Sequence, residues 1–291
     1  MSYSDALEQQ VSLWSTWRQD RGFTGSAASA LESAETYWLA REVDDLVWAG
    51  VASMPESVVI EPDLLPSPSG FISLECPRRV VVNDGDRGIL RALQWSEALF
   101  PDGGHMRRGV GALSYIQPLG VSRPMPAYFS SLIYGETVRE AVERELRQDH
   151  NAWDGVLGVT HDLTPDDEDQ LASQMLLLVA FWLFVRQKIL VAHATSITER
   201  HARKRIERLG WQSNRGVRVV QLRRRETQHL PDATDGSSHD WSCQWLVRGH
   251  WRQQFYPSQH AHQPLWITPY VKGPDDKPLK PPRTTVFAVV R

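Results

Sequence analysis

Residues 164–185 read TPDDEDQLASQMLLLVAFWLFV, and this stretch decides the architecture. Thr164 is placed to cap a helix, with Pro165 at its first position and Asp166 and Asp167 in its first turn. A proline there costs nothing, because its missing N–H would lack an intrahelical partner. The two carboxylates oppose the positive end of the helix dipole. Met175, Leu176, Leu177, Phe181, Trp182 and Val185 then make the helix apolar nearly all round, so both faces need covering. The uncharged apolar stretch Leu171–Val185 has 15 residues, whereas a bilayer span needs about 20. The pattern predicts a buried helix that runs to about Val191 and serves as the central packing element.

Beyond this spine, Ser196 and Glu199 form a Ser-x-x-Glu capping-box pattern, and Gly210 is a stop signal. The helix expected between them carries Arg200, Arg203, Lys204, Arg205 and Arg208. Four strand candidates follow, at Val217–Arg225, Trp241–Trp251, Pro264–Lys272 and Thr284–Val290. Before the spine, Pro- and Gly-punctuated runs at Val58–Ile60, Gly70–Leu74, Arg79–Val82, Ile89–Trp95 and Gly109–Ile116 read as an antiparallel meander. Thr137–Gln148 reads as helix. So does Ser4–Gln19, and a longer helix is expected from a Ser26 cap to about Met54, with Leu39, Val43, Leu46, Val47 and Gly50 at helical spacing. Glu32, Glu35, Glu42, Asp44 and Asp45 give that helix an acidic face, either solvated or available to a basic partner.

The resulting expectation is an α+β chain in two domains. Residues 1–160 would form an acidic helix-plus-antiparallel-meander domain. Residues 161–291 would form a long buried helix, a basic helix and an antiparallel β-sheet. A length of 291 residues, with 41% hydrophobic and 23% charged residues, is globular and agrees with two domains. The net charge of −3 conceals an asymmetry. Residues 1–195 hold 15 Lys and Arg against 27 Asp and Glu, net −12, and residues 196–291 hold 17 against 8, net +9. Cys76 and Cys243 are too few and too far apart for a disulfide framework or a zinc set, which fits a reducing cytoplasm. Met1–Gln10 has two acids and no base, unlike a secretory signal. The chain is therefore expected to be cytoplasmic, with no membrane partner.

Three constellations bear on chemistry. In Trp241–Arg252, strand alternation places Trp241, Cys243, Trp245, Val247 and Trp251 on one face and Ser242, Gln244, Arg248, His250 and Arg252 on the other. Two guanidiniums beside an imidazole favour its neutral, proton-accepting form and can hold a phosphodiester. That set suits metal-independent RNA cleavage, with His250 as general base, Arg248 and Arg252 as stabilisers of developing charge, and Tyr256 and Lys272 in support. An ordinary solvated strand face is the alternative. Residues 196–226 are the second constellation, with 10 Lys and Arg against 3 acids. Arg200, Lys204 and Arg208 at i, i+4 spacing form a ridge, Arg203 sits beside Glu207, and Arg223, Arg224 and Arg225 follow. Phosphate binding needs such a row of cations. A helix neutralised by the acidic N-terminal region, with the ridge covered near Asp44, is the other reading. Third, Tyr256, Trp266 and Tyr270 offer faces on which bases can stack, unless they are core anchors.

His260 and His262 share a face of an extended chain, but nothing places His229, His239 or a carboxylate beside them as a further ligand. No phosphate loop, dinucleotide fingerprint or nucleophile elbow occurs. Asp84, Asp86 and Glu97 are the remote candidates for a two-metal site. No cofactor and no metal are expected.

The run Arg248-Gly249-His250-Trp251-Arg252 and Gln254, then WITPYVKGPDDKPL at residues 266–279 and the closing VFAVVR segment at residues 286–291, resembles the C-terminal region of uncharacterised actinobacterial proteins and of their phages and mobile elements. The resemblance implies a cytoplasmic, actinobacterial or phage-linked setting. His260-Ala261-His262-Gln263 stands where that pattern would carry more arginine. Together these features lead to the expectation of a nucleic-acid-directed effector, meeting RNA more than duplex DNA, from a phage, mobile-element, toxin or defence system, with metal-independent ribonuclease as its catalytic form. The competing expectation is a non-catalytic interaction protein, regulatory or structural, whose basic tail docks an acidic protein partner. The sequence leaves the oligomeric state open.

Overall fold

Thr36, Tyr37 and Trp38 interrupt the N-terminal helical pattern with three β-favouring residues, and the chain turns them into an inner strand of a sheet. The computed structural model describes residues 3–19, 23–82, 86–102, 104–147, 165–187, 190–196, 199–211, 216–222, 244–247, 249–268, 270–274 and 277–278. The chain is α+β: among these residues are six α-helices, a mixed seven-stranded sheet and two two-stranded antiparallel sheets. It divides into two units, residues 1–223 and residues 224–291. The boundary expected near residue 160 falls inside the first unit, whose sheet takes strands from both sides of it.

In the first unit α1 is Tyr3–Trp17, α2 Phe23–Ser33, β1 Glu35–Leu39 and α3 Arg41–Val51. The single helix expected from Ser26 to Met54 is thus two helices with a strand between them. The strands β2 Ser69–Val82, β3 Asp86–Asp102, β4 His105–Pro118 and β5 Met125–Ile133 form the antiparallel meander. The short runs read from the sequence merge into long strands because register shifts at Ser73/Arg78 and Leu90/Ala92 absorb the irregular residues without ending the pairing. Helix α4 is Val138–Arg147, α5 Pro165–Val185 and α6 Arg200–Arg208; β6 is Leu190–Thr195 and β7 Val217–Leu222. The sheet order is β5-β4-β3-β2-β1-β7-β6. Strand β1 runs parallel to both of its neighbours, β2 and β7.

Helix α5 begins at Pro165, where the sequence placed its first residue, but it stops at Val185 instead of Val191. Leu190–Thr195 is an edge strand paired antiparallel to β7. Thr164 lies outside the described residues. The span Glu168–Val185 is long and apolar enough to cross a membrane by length and composition, yet 61% of it is buried within the protein. Its Phe181 and Trp182 meet the sheet. Trp95 of β3 lies 5.9 Å from Phe181 and 6.0 Å from Trp182, ring centre to ring centre, and Tyr37 of β1 lies 5.5 Å from Phe181. Large rings buried at such distances contribute much of the apolar area that drives folding.

The opposite face of the sheet carries α1, α2 and α6. Leu7, Val11 and Trp14 of α1, Leu31 of α2 and Ala202 and Ile206 of α6 share a core with Phe71, Leu113, Tyr115 and Val217. Buried amides also tie the helices down: Gln10 Nε2 donates to the Leu31 and Ala34 carbonyls at 2.8 and 3.2 Å, and its Oε1 accepts from the Thr36 hydroxyl. Such satisfied polar contacts fix orientation, since a buried amide left unpaired would be costly.

Side-chain capping is clearest at α4. The Thr137 N–H donates to Glu140 at 2.7 Å and the Glu140 N–H donates to the Thr137 hydroxyl at 3.2 Å, a reciprocal box at the start of α4. The Thr137 N–H and the Thr137 hydroxyl, which donates at 2.8 Å, hold the Glu140 carboxyl below the usual range. The box expected at Ser196 and Glu199 does not cap in this way. Helix α6 starts at Arg200, and Glu199 is its N-cap without a side-chain cap bond. The Glu199 carboxylate instead accepts from the Ser4 hydroxyl at 3.5 Å. Gly210, with φ of 84°, ends α6 as expected, because that left-handed conformation suits a residue without Cβ.

The second unit contributes β8 Trp245–Val247, β9 His250–Tyr256, β10 Ala261–Ile267 and β11 Tyr270–Lys272. β9 pairs with β10 and β8 with β11, both antiparallel. The expected single strand Trp241–Trp251 is therefore interrupted after Val247, and its two parts take different partners. Thr284–Val290 lies outside the described residues. β7, expected as the first strand of the tail sheet, belongs to the first unit and pairs with β1.

Candidate nucleic-acid interface

Helix α6 is strongly amphipathic. Ala202 and Ile206, four residues apart, are buried against α1, and this orients the rest of the helix outward. Arg200, Arg203, Lys204 and Arg208 are all exposed. Arg203 Nε lies 3.7 Å from Glu207, an exposed i, i+4 pair that binds weakly. Arg205 turns toward α1 and grips Glu8 at 2.5 and 3.0 Å. This pair raises the already high arginine pKa through its hydrogen bond to Glu8. Among the described residues, no hydrogen bond or ion pair engages the side chains of Arg200, Lys204 or Arg208. At a rise of about 1.5 Å per residue, these three charges repeat roughly every 6 Å along the helix.

Among the described residues, the acidic N-terminal region does not cover this ridge. Asp44 is occupied elsewhere: its Oδ2 accepts from Arg78 Nη2 at 2.8 Å and from Nε at 3.2 Å. Glu35 holds Arg218 at 2.6 Å across β1 and β7. The opposed charges of the two regions thus meet at Glu8–Arg205 and Glu35–Arg218 and leave the row of three open among the described residues. Arg223, Arg224 and Arg225 lie outside the described residues, and so does Asp84.

In the second unit, β9 presents His250, Arg252, Gln254 and Tyr256 on one face by alternation, about 7 Å between neighbours. His250 and Arg252 are exposed and Tyr256 is half-buried. Arg248 lies outside the described residues. Lys272 is exposed on β11, where it pairs in register with Trp245, so it belongs to a different two-stranded sheet from His250. Tyr270, on the same strand, is 44% exposed. Trp266 keeps 5% exposure and packs edge-on against Trp251 at 5.3 Å, so it anchors the hairpin instead of offering an open face.

Phe255 belongs to the same aromatic segment but not to the expected stacking set Tyr256, Trp266 and Tyr270. It is 43% exposed and lies 5.0 Å from the ring of His262, its register partner on β10. The signal that finds this pair is the four-residue turn Pro257–His260. His260 takes a φ of 48° there, and the turn brings Phe255 and His262 opposite one another.

Among the described residues no three His, Cys, Asp or Glu side chains gather as a metal-binding group. Glu97 is engaged by the Tyr134 hydroxyl at 2.7 Å and by Arg108 at 3.3 Å. Asp86 lies on β3, paired in register with Val82.

No family model and no curated protein matches the chain. Among solved structures it is similar to one described as "Crystal structure of AcrVA2", with a TM-score of 0.43 and 11% identity, over 91% of this chain and 85% of that one. That degree of likeness transfers neither fold nor function.

Proposed function

We propose that this protein binds single-stranded nucleic acid, RNA in preference to duplex DNA, through the outward face of α6. The observation that carries this reading is the open row Arg200, Lys204 and Arg208, held outward by the burial of Ala202 and Ile206. Cations aligned without internal partners release counterions when a phosphate backbone binds, and this supplies sequence-independent affinity. Arg203 adds to the same surface, and Arg223, Arg224 and Arg225 extend the basic stretch in sequence. The setting as an effector of a phage, mobile element, toxin or defence system rests on the resemblance of the tail motif.

The test is fluorescence anisotropy of a labelled single-stranded RNA with the full chain. The variant Arg200→Ala, Lys204→Ala, Arg208→Ala is expected to bind about tenfold more weakly or worse, with an unchanged melting temperature. Equal binding by this variant removes the proposal. Wild-type affinity should fall steeply between about 50 and 200 mM salt; a salt-insensitive complex with a protein would favour the interaction-protein reading instead.

A finer reading follows from His250 and Arg252 lying exposed on one strand face. His250 would take the proton of an RNA 2′-hydroxyl, the 2′-oxygen would attack phosphorus as the bond to the 5′-oxygen breaks, and the 5′-oxygen would leave with a proton from water, which the His250 imidazolium then restores. Arg252 would stabilise the phosphorane charge, with Tyr256, Lys272 and Arg248 in support. A 2′,3′-cyclic phosphate product formed in the presence of a chelator supports it. Cleavage that persists in His250→Ala removes it.

A further inference from the structure

A cation from the far N-terminal part of the chain stands at the end of the row on α6. Arg18 follows the last residue of α1, and its Nη1 donates to the carbonyl of Leu209, just past α6, at 3.3 Å. Its guanidinium lies 4.9 Å from the centre of the Trp14 ring, and Trp14 packs edge-on against Trp211 at 5.1 Å. Arg18 is exposed, and among the described residues its side chain makes no other hydrogen bond or ion pair. One donor is used on Leu209 and one side rests against Trp14, so the remaining N–H groups are open to a ligand. A guanidinium held at two points loses little freedom on binding.

Helices α1 and α6 run side by side in the same direction: Ser4 meets Glu199, Glu8 meets Arg205 and Arg18 meets Leu209. The row winds toward α1 as it advances. Four residues turn about 400°, so each step from Arg200 to Lys204 to Arg208 moves about 40° round α6. Arg205, bonded to Glu8, marks the side that faces α1. Counted from Arg205, Arg200 lies about 140° away, Lys204 about 100° and Arg208 about 60°. The row therefore comes nearest α1 at its last member, next in sequence to the residue that Arg18 holds.

The acids gather at the opposite end, where Glu8, Asp5 and Glu199 act on Arg205. Glu207, the remaining acid of the two helices, pairs with Arg203. Asp20 and Arg21, of opposite sign, follow Arg18 in sequence and lie outside the described residues. The negative ends of both helix dipoles fall near Arg18, at about half a charge each, and offset about one cation. Lys204, Arg208 and Arg18 together exceed that, so the C-terminal end of the pair keeps a positive surplus.

We infer that Arg18 is a fourth phosphate-binding residue of the α6 surface and fixes the position of a single strand along the row. This role rests on the reading of α6 as a nucleic-acid surface and extends it to a residue of the acidic N-terminal region. Arginine suits it because its planar fork takes phosphate oxygens in a set geometry, and phosphate contacts set the register of a strand.

The experiment measures binding of a labelled oligouridylate to the full chain between about 50 and 200 mM salt. Arg18→Gln keeps an amide N–H for the Leu209 carbonyl and loses the charge. It is expected to weaken binding about threefold or more and to flatten the slope of log affinity against log salt by about 0.7. Arg18→Lys keeps the charge and is expected to keep the wild-type slope. An unchanged slope in Arg18→Gln overturns the inference. So does an equal flattening in Arg18→Gln and Arg18→Lys, which would mark a structural role. If the α6 triple variant loses binding while Arg18→Gln binds as wild type, Arg18 falls and the α6 reading stands. If the wild type does not bind oligouridylate, both fall.

Discussion

Arg78 and Asp44 form an ion pair in which one partner is wet and the other dry. The guanidinium lies 2.8 Å from the carboxylate and keeps 35% of its side chain exposed, while Asp44 keeps 1%. Burial pushes the Asp44 carboxyl above its usual pKa, against the opposing pull of Arg78. The pair joins α3 to β2, and the same guanidinium sits 4.7 Å from the centre of the Trp48 ring.

Arg78→Met leaves the buried carboxylate without its cation. Unfolding stability at pH 7 is expected to fall by about 2–3 kcal/mol, below the range for fully buried pairs because Arg78 is partly solvated. Asp44 already binds its proton more tightly folded than unfolded. Its contribution is therefore fully present below the unfolded pKa and declines as pH rises through the folded pKa. Removing Arg78 raises the folded pKa further, so the deficit of the variant should shrink as pH falls into the carboxylate range. Urea melts at several pH values read this directly. A deficit that grows on acidification would contradict it.

Gly70 gives Trp95 its place. A Cβ added at Gly70 would come within 2.2 Å of two carbons of the Trp95 ring, which is fully buried among Tyr37, Phe181 and Trp182. Gly70→Ala is expected to cost about 1–3 kcal/mol, and Trp95→Phe in the same chain should recover part of it. Thermal melts of the single and double variants test the coupling.

Phe181 touches both Tyr37 and Trp95, so it joins α5 to β1 and β3. Phe181→Ala is expected to cost about 3–5 kcal/mol, since a tightly ringed site cannot collapse onto the cavity. A loss near that of an exposed phenylalanine would mean the helix does not seal the sheet.

For the α6 ridge, the slope of log affinity against log salt is the sensitive readout. Each single-strand phosphate contact contributes roughly 0.7 to it, so removing Arg200, Lys204 and Arg208 together should flatten it by about 2.

Much of this was legible in the residues, and the failures have physical causes. Helix α5 declared itself because Pro165 and an all-round apolar surface leave few alternatives to a buried helix. The meander was readable because antiparallel neighbours follow one another along the chain. β1 was not, because its five residues sit inside a helix-like apolar spacing, and its partners in β7 lie far away in sequence. Alternation along Trp241–Trp251 suggested one strand, but period alone does not reveal where pairing changes partner. The ridge on α6 was visible from i, i+4 spacing. The Phe255–His262 pair was hidden, because opposition across a hairpin depends on the turn, and this turn uses histidine in a conformation usually taken by glycine or asparagine.

The placement of β1 between β2 and β7 sets an order of events on the growing chain. β2 through β5 can pair with their neighbours as soon as they are made, but β1 keeps one bare edge until residues 217–222 emerge. Throughout that interval the nascent polypeptide offers a row of unsatisfied amides to any strand nearby. A chain halted before β7 should be recognised by chaperones or aggregate, and closure of β1 is the step that ends this vulnerability.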